Sequence, residues 1–220
     1  MLSLSNFHNF STGHLEVISG PMFSGKTEEL IRRVRRAQIA RVKVQVFRPS
    51  IDNRYNDKDV VSHSSQSIEA IPVKNSNDIW HRIKDSTRIV AIDEVQFFDN
   101  EIIKVVTKLT NRGHRLICAG LDLDYRAKPF GPMPALLAMA DEIVKVHAIC
   151  TICGGIATRS QRVVNSKAQL LVGATEAYEA RCRAHFEYSE TETEEDRQEQ
   201  ELLNVTTENA NPTNNSLQIN

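Results

Sequence analysis

Long apolar runs are missing from this 220-residue chain, and so is any overall surplus of one charge. No stretch approaches the roughly 20 apolar residues needed to span a bilayer, so no membrane segment is expected. The opening MLSLSNFHNFSTGH lacks a basic region leading into an apolar core, so it does not read as a secretory signal. A cytoplasmic protein is therefore expected. Its four cysteines then read as thiols or metal ligands rather than disulfides.

The formal charge of −1, from 27 Lys+Arg against 28 Asp+Glu, hides a division. Residues 187–220 hold nine acids and one base (Arg197), a charge of −8, which leaves +7 on residues 1–186. A cationic body suits an anionic ligand. The body is long enough for one substantial domain, with room for a small appendage. The tail, ETETEEDRQEQ followed by an Asn/Thr-rich run, is too polar to bury a core and is expected to be disordered.

Between residues 14 and 148 strand-like and helix-like segments alternate. HLEVIS (14–19), VKVQVF (42–47), RIVAID (88–93), HRLICAGL (114–121) and EIVKVHAI (142–149) read as five strands. TEELIRRVRRAQIA places Leu30, Ile31, Val34 and Ala37 at helical spacing. SNDIWHRIKD (76–85), with Ser76 as cap, DNEIIKVVTKLTNRG, capped by Asp99 or Asn100 and stopped at Gly113, and MPALLAMA read as further helices. Residues 49–66 are polar and turn-rich, and read as a mobile loop. Strands joined by helix-length crossovers imply an α/β fold with a parallel sheet covered on both faces. From Cys150 the pattern changes to short β-like stretches (156–164 and 168–172) and a Gly/Ala/Thr-rich loop.

Gly20-Pro21-Met22-Phe23-Ser24-Gly25-Lys26-Thr27 satisfies G-x-x-x-x-G-K-[ST], after a strand and at a helix start. Such a loop wraps backbone N–H groups around phosphates, and the helix N-terminus adds positive potential. Lys26 is expected on the β- and γ-phosphates, and Thr27 on Mg²⁺. Asp93 closes the buried run IVAID, where a second magnesium-directed carboxylate belongs. Glu94 follows it as an acid able to take a proton from a nucleophile. The bland alternatives are a chance glycine turn and a solvated loop acid at Glu94.

Cys150-x2-Cys153 and Cys182-x2-His185 form two chelating knuckles. Zinc favours four tetrahedral sulfur or nitrogen ligands presented in such pairs, and four protein ligands leave no open position, so a structural ion is expected. Unrelated thiols are the alternative. Cys118, inside LICAG, reads as an inert core thiol.

GPMFSGKT, FRPSIDNRY, IDEVQFF, GLDLDYRAKPFGP, the CTIC knuckle and GATEAYEARCRAHF occur here in the order found in thymidine kinases of the cellular, zinc-containing type. The chain resembles that family from about Leu15 to Phe186. The resemblance implies a RecA-like P-loop core and transfer of the γ-phosphoryl of ATP to the 5′-hydroxyl of thymidine with Mg²⁺. It also implies Glu94 as catalytic base and ATP contacts from Gly20 through Thr27, from Asp52, Asn53 and Arg54, and from Asp93, Glu94, Val95 and Gln96. Met22, Phe97, Leu121, Tyr125, Phe130, Ser160, Gln169, Gly173 and Tyr178 match positions around thymidine, with Phe130 and Tyr178 bracketing the base. Residues 169–178 resemble a lasso loop anchored by the zinc knuckles. A homotetramer and feedback inhibition by thymidine triphosphate (dTTP) are implied as well. Val95 stands where the family usually has a smaller residue, and His185 is one of the family's alternative zinc ligands.

The implied organisation is an N-terminal extension (1–13), a P-loop nucleotide-binding domain (14–149), a zinc/lasso nucleoside-binding subdomain (150–186) and the tail. A competing reading is a RecA-like zinc-ribbon ATPase that binds nucleic acid through Arg32, Arg33, Arg35 and Arg36. On an amphipathic helix those arginines read better as a solvated or interface face. No partner basic-aromatic surface accompanies them, so no nucleic-acid or membrane partner is expected. A non-catalytic nucleotide sensor is a third, weaker reading.

Overall fold

The structure, a computed structural model, describes residues 13–50, 59–61 (backbone only), 67–164 and 177–188. The expectations for Asp52, Asn53, Arg54, Gln169 and Gly173, for most of the N-terminal extension, and for the tail beyond Tyr188 lie outside the described residues.

Six strands form one parallel sheet: β1 (His14–Ser19), β2 (Val44–Pro49), β5 (Ile71–Val73), β6 (Ile89–Ile92), β7 (Arg115–Gly120) and β8 (Glu142–Lys145). They lie in the order β5-β2-β6-β7-β1-β8, every neighbouring pair parallel. The fold is α/β, a six-stranded parallel sheet flanked by helices, as expected. Its strands read as continuous apolar runs because both faces are covered. A hairpin of β3 (Asp59–Val61) and β4 (Ser67–Glu69) falls partly within the polar stretch expected to be a loop.

Alternation along the strands divides the core into two layers. Ile18, Val46, Ile89, Ala91, Ile117 and Ala119 face helix α1 (Lys26–Ile39), which buries Leu30, Ile31, Val34 and Ala37, the helical stripe visible in the sequence. Leu15, Val17, Phe47, Val90, Ile92, Leu116 and Cys118 form the other layer. That layer packs against helices α2 (Ser76–Arg82), α3 (Glu101–Asn111) and α4 (Met133–Met139). Each fully buried Leu, Ile or Phe contributes roughly 1.5–3 kcal/mol of transfer free energy.

Some boundaries differ from the sequence reading. Asn75, not Ser76, caps α2, its side chain accepting from the Asp78 N–H at 3.1 Å. Ser76 instead donates its hydroxyl to Asp99. Asp99 also accepts from the Glu101 N–H at 3.0 Å, so one carboxylate ties the start of α2 to the start of α3. The run 142–149 breaks in two: β8 ends at Lys145, and Ala148–Ile149 (β9) leaves the sheet to pair antiparallel with Ile156–Ala157 (β10). Arg159–Arg162 (β11) pairs antiparallel with Tyr178–Arg181 (β12), and the β-like stretch expected at 168–172 lies outside the described residues.

Two arginines of the basic cluster on α1, Arg32 and Arg33, are engaged in ion pairs. Glu16, buried in β1, accepts from both Arg33 and Arg115. Arg33 also pairs with Glu29 at 2.8 Å and Glu142 at 3.1 Å, and Arg32 pairs with Glu29 at 2.6 Å. A buried carboxylate needs such compensation, and these arginines supply it. Among the described residues no helix is long and apolar enough to cross a membrane.

Candidate phosphoryl-transfer site and zinc cluster

In a parallel sheet the loops that leave the strands' carboxyl ends share one edge, where ligands collect. Here those loops are 20–25 after β1, 93–98 after β6 and 121–132 after β7. They bring together most of the residues singled out in the sequence.

The loop after β1 is shaped by backbone that side chains resist. Gly20 has φ 151°, and a Cβ there would lie 2.2 Å from the Val146 carbonyl oxygen. Gly25 takes a left-handed conformation at φ 82° as the N-cap of α1. Phe23 is left-handed at φ 64° despite its side chain, as is Glu94 at φ 50°. Strained non-glycine residues of this kind cluster at functional sites. Lys26 is buried, and its ammonium donates to the Pro21 carbonyl at 2.8 Å, which also accepts from the Ser24 hydroxyl at 2.7 Å. Burial lowers the Lys26 pKa, while Glu94, Asp93 and Asp122 oppose that shift.

Thr27 and Asp93 meet. The threonine hydroxyl donates to Asp93 Oδ2 at 3.3 Å. Burial, and then the neighbouring Glu94 charge, push Asp93 up to about 7. A hydroxyl beside a buried carboxylate is a donor set that fits Mg²⁺, a hard cation that would offset the desolvation. Glu94 opens a short 3₁₀ turn, Val95–Phe97, and Gln96 Nε2 donates to Glu94 Oε2 at 2.5 Å. The other end of that amide accepts from the Leu121 N–H at 3.1 Å, so Gln96 spans two of the three loops. Val95 is fully buried against Gly120: a Cβ on Gly120 would come within 2.9 Å of Val95 Cγ1 and 2.7 Å of Gln96 Oε1.

The third loop carries Leu121, Tyr125 and Phe130. Asp124 organises it, accepting from the Arg126 N–H at 2.8 Å and the Lys128 N–H at 3.0 Å. Phe130 lies edge-on to Phe97 with ring centroids 5.6 Å apart. Tyr178 stands at the start of β12. Its hydroxyl accepts from Arg162 at 2.7 Å, and Arg162 lies over the Tyr125 ring. Ser160 is buried in β11, and its Oγ accepts from the Met22 N–H at 3.0 Å.

Sequence reasoning missed two members of this neighbourhood. Asp122 is buried near Lys26, with Lys145 Nζ 2.6 Å away as an ion pair, yet neither carboxylate oxygen has an aligned hydrogen-bond donor among the described residues. The signal that marked Asp93, an acid just past a buried strand, also marks Asp122. Arg162 had no such signal, because its partners are distant in sequence.

Cys150, Cys153, Cys182 and His185 converge, with all four ligand atoms within 4.8 Å of one another. Cys153 and Cys182 Sγ are 3.8 Å apart, and Cys182 Sγ lies 3.2 Å from His185 Nδ1. Zn–S bonds of about 2.3 Å in a tetrahedron require S···S near 3.8 Å, so this Cys₃His cluster could hold a structural zinc. Burial opposes ionisation of Cys150, yet backbone N–H groups of Cys182, Cys153 and Ile152 bring its pKa down to about 6, favouring the thiolate a metal needs. Cys118 is the opposite case: burial, and then the Glu16 charge, push it up to about 12, as suits an inert core thiol.

A Walker-type cradle, an acid pair at the next-but-one strand and a buried lysine define a P-loop phosphotransferase-class site. The family model for thymidine kinase matches residues 13–186. A thymidine kinase of Bdellovibrio bacteriovorus is 51% identical over 174 residues, covering 79% of this chain and 85% of that protein. The chain belongs to the thymidine kinase family. Among solved structures, domain III of the replication initiation protein DnaA from Thermotoga maritima aligns with a TM-score of 0.38 at 16% identity, over 63% of this chain and 56% of that one.

Proposed function

We propose that the protein transfers the γ-phosphoryl group of ATP to the 5′-hydroxyl of thymidine, giving thymidine 5′-monophosphate and ADP. The observation that carries this reading is the meeting of Thr27, Asp93 and Glu94 beside the buried Lys26, in a chain of the thymidine kinase family.

Glu94 accepts the hydroxyl proton as the new O–P bond forms and the bond to ADP breaks. Gln96 holds the carboxylate by its Oε2. Residues Gly20 to Thr27 cradle the phosphates, and Lys26 exchanges the Pro21 carbonyl for phosphate oxygens. Asp52, Asn53 and Arg54 approach the reacting groups, and Val95 and Gln96 back the nucleotide. Thr27 and Asp93 hold Mg²⁺, which when bound neutralises charge on the β- and γ-phosphates.

Met22, Phe97, Leu121, Tyr125, Phe130, Ser160, Gln169, Gly173 and Tyr178 receive thymidine, their aromatic faces favouring a flat base. The segment 150–186 acts as a nucleoside-binding subdomain beside the P-loop domain 14–149, with a structural zinc on Cys150, Cys153, Cys182 and His185. A cytoplasmic homotetramer inhibited by dTTP completes the reading.

The test is an ATP-dependent assay of purified protein across nucleosides, with DNA and RNA added at two salt concentrations. Preferential phosphorylation of thymidine is expected. A flat nucleoside preference, or ATP hydrolysis stimulated by nucleic acid in a salt-dependent way, would overturn the reading in favour of the ATPase alternative.

A further inference from the structure

Arg162 lies opposite Tyr178 in the register of β11 and β12. It is 9% exposed. Its Nη2 donates to the Tyr178 hydroxyl at 2.7 Å, and its guanidinium carbon sits 3.5 Å from the centroid of the Tyr125 ring. The Tyr178 centroid is 5.3 Å away. Tyr125 belongs to the loop after β7, whereas Tyr178 belongs to a separate two-stranded sheet, so no backbone pairing joins the two tyrosines. Arg162 bridges them. A planar guanidinium can lie flat on one ring while donating in its own plane to another group; an ammonium cannot do both.

We propose that Arg162 is a positioning residue for the nucleoside, holding Tyr125 and Tyr178 as a preformed aromatic pair. The proposal rests on the reading that these tyrosines line the thymidine pocket. A phenol anchored by its hydroxyl and a ring covered by a cation are both held in one orientation. Binding then proceeds without the cost of ordering two aromatic walls. Removing the guanidinium leaves each ring to be ordered by the incoming base, so the loss falls on nucleoside affinity rather than on ATP.

The experiment uses the full chain and the variants Arg162→Met, Arg162→Lys, Tyr178→Phe and Tyr178→Ala, with each substrate varied at saturating concentration of the other. Arg162→Met and Arg162→Lys are expected to raise the thymidine KM about tenfold, equivalent to about 1.4 kcal/mol. The ATP KM should stay within about twofold, with zinc content and Tm retained. Arg162→Met and Tyr178→Phe should combine to less than the product of their separate effects, because they remove the same bond. An unchanged thymidine KM in both arginine variants while Tyr178→Ala raises it would overturn the positioning role. So would a parallel rise in both KM values with a fall in Tm. If Tyr178→Ala itself leaves the thymidine KM untouched, the pocket reading fails, and the proposal with it.

Discussion

The amide nitrogen of Met22 donates to the hydroxyl of Ser160 at 3.0 Å, joining residues 138 positions apart. One partner lies in the loop after β1 and the other in β11, between the two halves of the Cys₃His cluster in sequence. The proposed nucleotide and nucleoside sites therefore share a bond.

Ser160→Ala should leave the Met22 N–H without its partner in a partly buried setting, at a cost of about 1 kcal/mol. The expected outcome is a lower midpoint of chemical denaturation together with raised KM values for both ATP and thymidine. Ser160→Thr, which keeps the hydroxyl, should retain most of both. Steady-state kinetics and urea titration check this, and an ATP KM that does not move would show that the bond carries no coupling.

Gly120 has no room for a side chain, with Gln96 Oε1 and Val95 Cγ1 in the way. Gly120→Ala should displace the Gln96 amide that holds Glu94, lowering kcat more than it raises either KM. Adding Val95→Ala opens space on one side and should recover part of the loss. Single and double variants in one cycle report this as a coupling, expected in the range of about 0.5–3 kcal/mol for residues in contact.

Asp99 is held below the usual carboxylate range: burial opposes the shift, but the Ser76 hydroxyl and the N–H groups of Ser76 and Glu101 outweigh it. A depressed folded-state pKa gives stability that is fully present above the unfolded value, about 3.9, and is lost as pH falls through the folded value. Asp99→Asn should lower stability at pH 7 and flatten the acid limb of the stability curve below about pH 4. Urea denaturation at a series of pH values measures both, and parallel curves for the two proteins would contradict the assignment.

Cys182→Ser should weaken zinc binding, because a thiolate is lost and the fourth position is left to a weaker oxygen ligand. Elemental analysis is expected to find one zinc per chain in the parent protein and, after dialysis against a chelator, less in the variant than in the parent. The thymidine KM should rise before the P-loop core unfolds, since β1, β2, β6 and β7 pack without contribution from the cluster. Active parent protein without zinc would reject the structural ion.

The parallel sheet was legible because its strands are buried on both faces and read as apolar runs, and because α1 shows its stripe in Leu30, Ile31, Val34 and Ala37. The cradle and the knuckles were legible because their chemistry is local: ligand groups a few residues apart must share one phosphate or one ion. What the sequence concealed is long-range. The short strand Ile71–Val73 pairs only with β2 and carries a proline, so it has no pattern of its own. The break after Lys145 is set by pairing of Ile149 with Ile156, not by any local breaker. Arg162 acquires meaning only when the fold brings Tyr125 and Tyr178 to it, from 37 residues before and 16 residues after. The arginines of α1 read in sequence as a solvated or interface face; what that pattern does not show is that Arg33 pairs with Glu16 and Glu142 as well as with the local Glu29.

The most direct test of the account is the fate of the γ-phosphate when Glu94 alone is altered. With γ-labelled ATP and thymidine, the parent protein should move the label to thymidine 5′-monophosphate. Glu94→Gln should bind both substrates with affinities close to the parent's yet lose about 10²–10⁴-fold in turnover, the usual contribution of a general base. Label transfer by Glu94→Gln at the parent rate would contradict the assigned base, and label appearing only as inorganic phosphate from the parent protein would contradict the kinase itself.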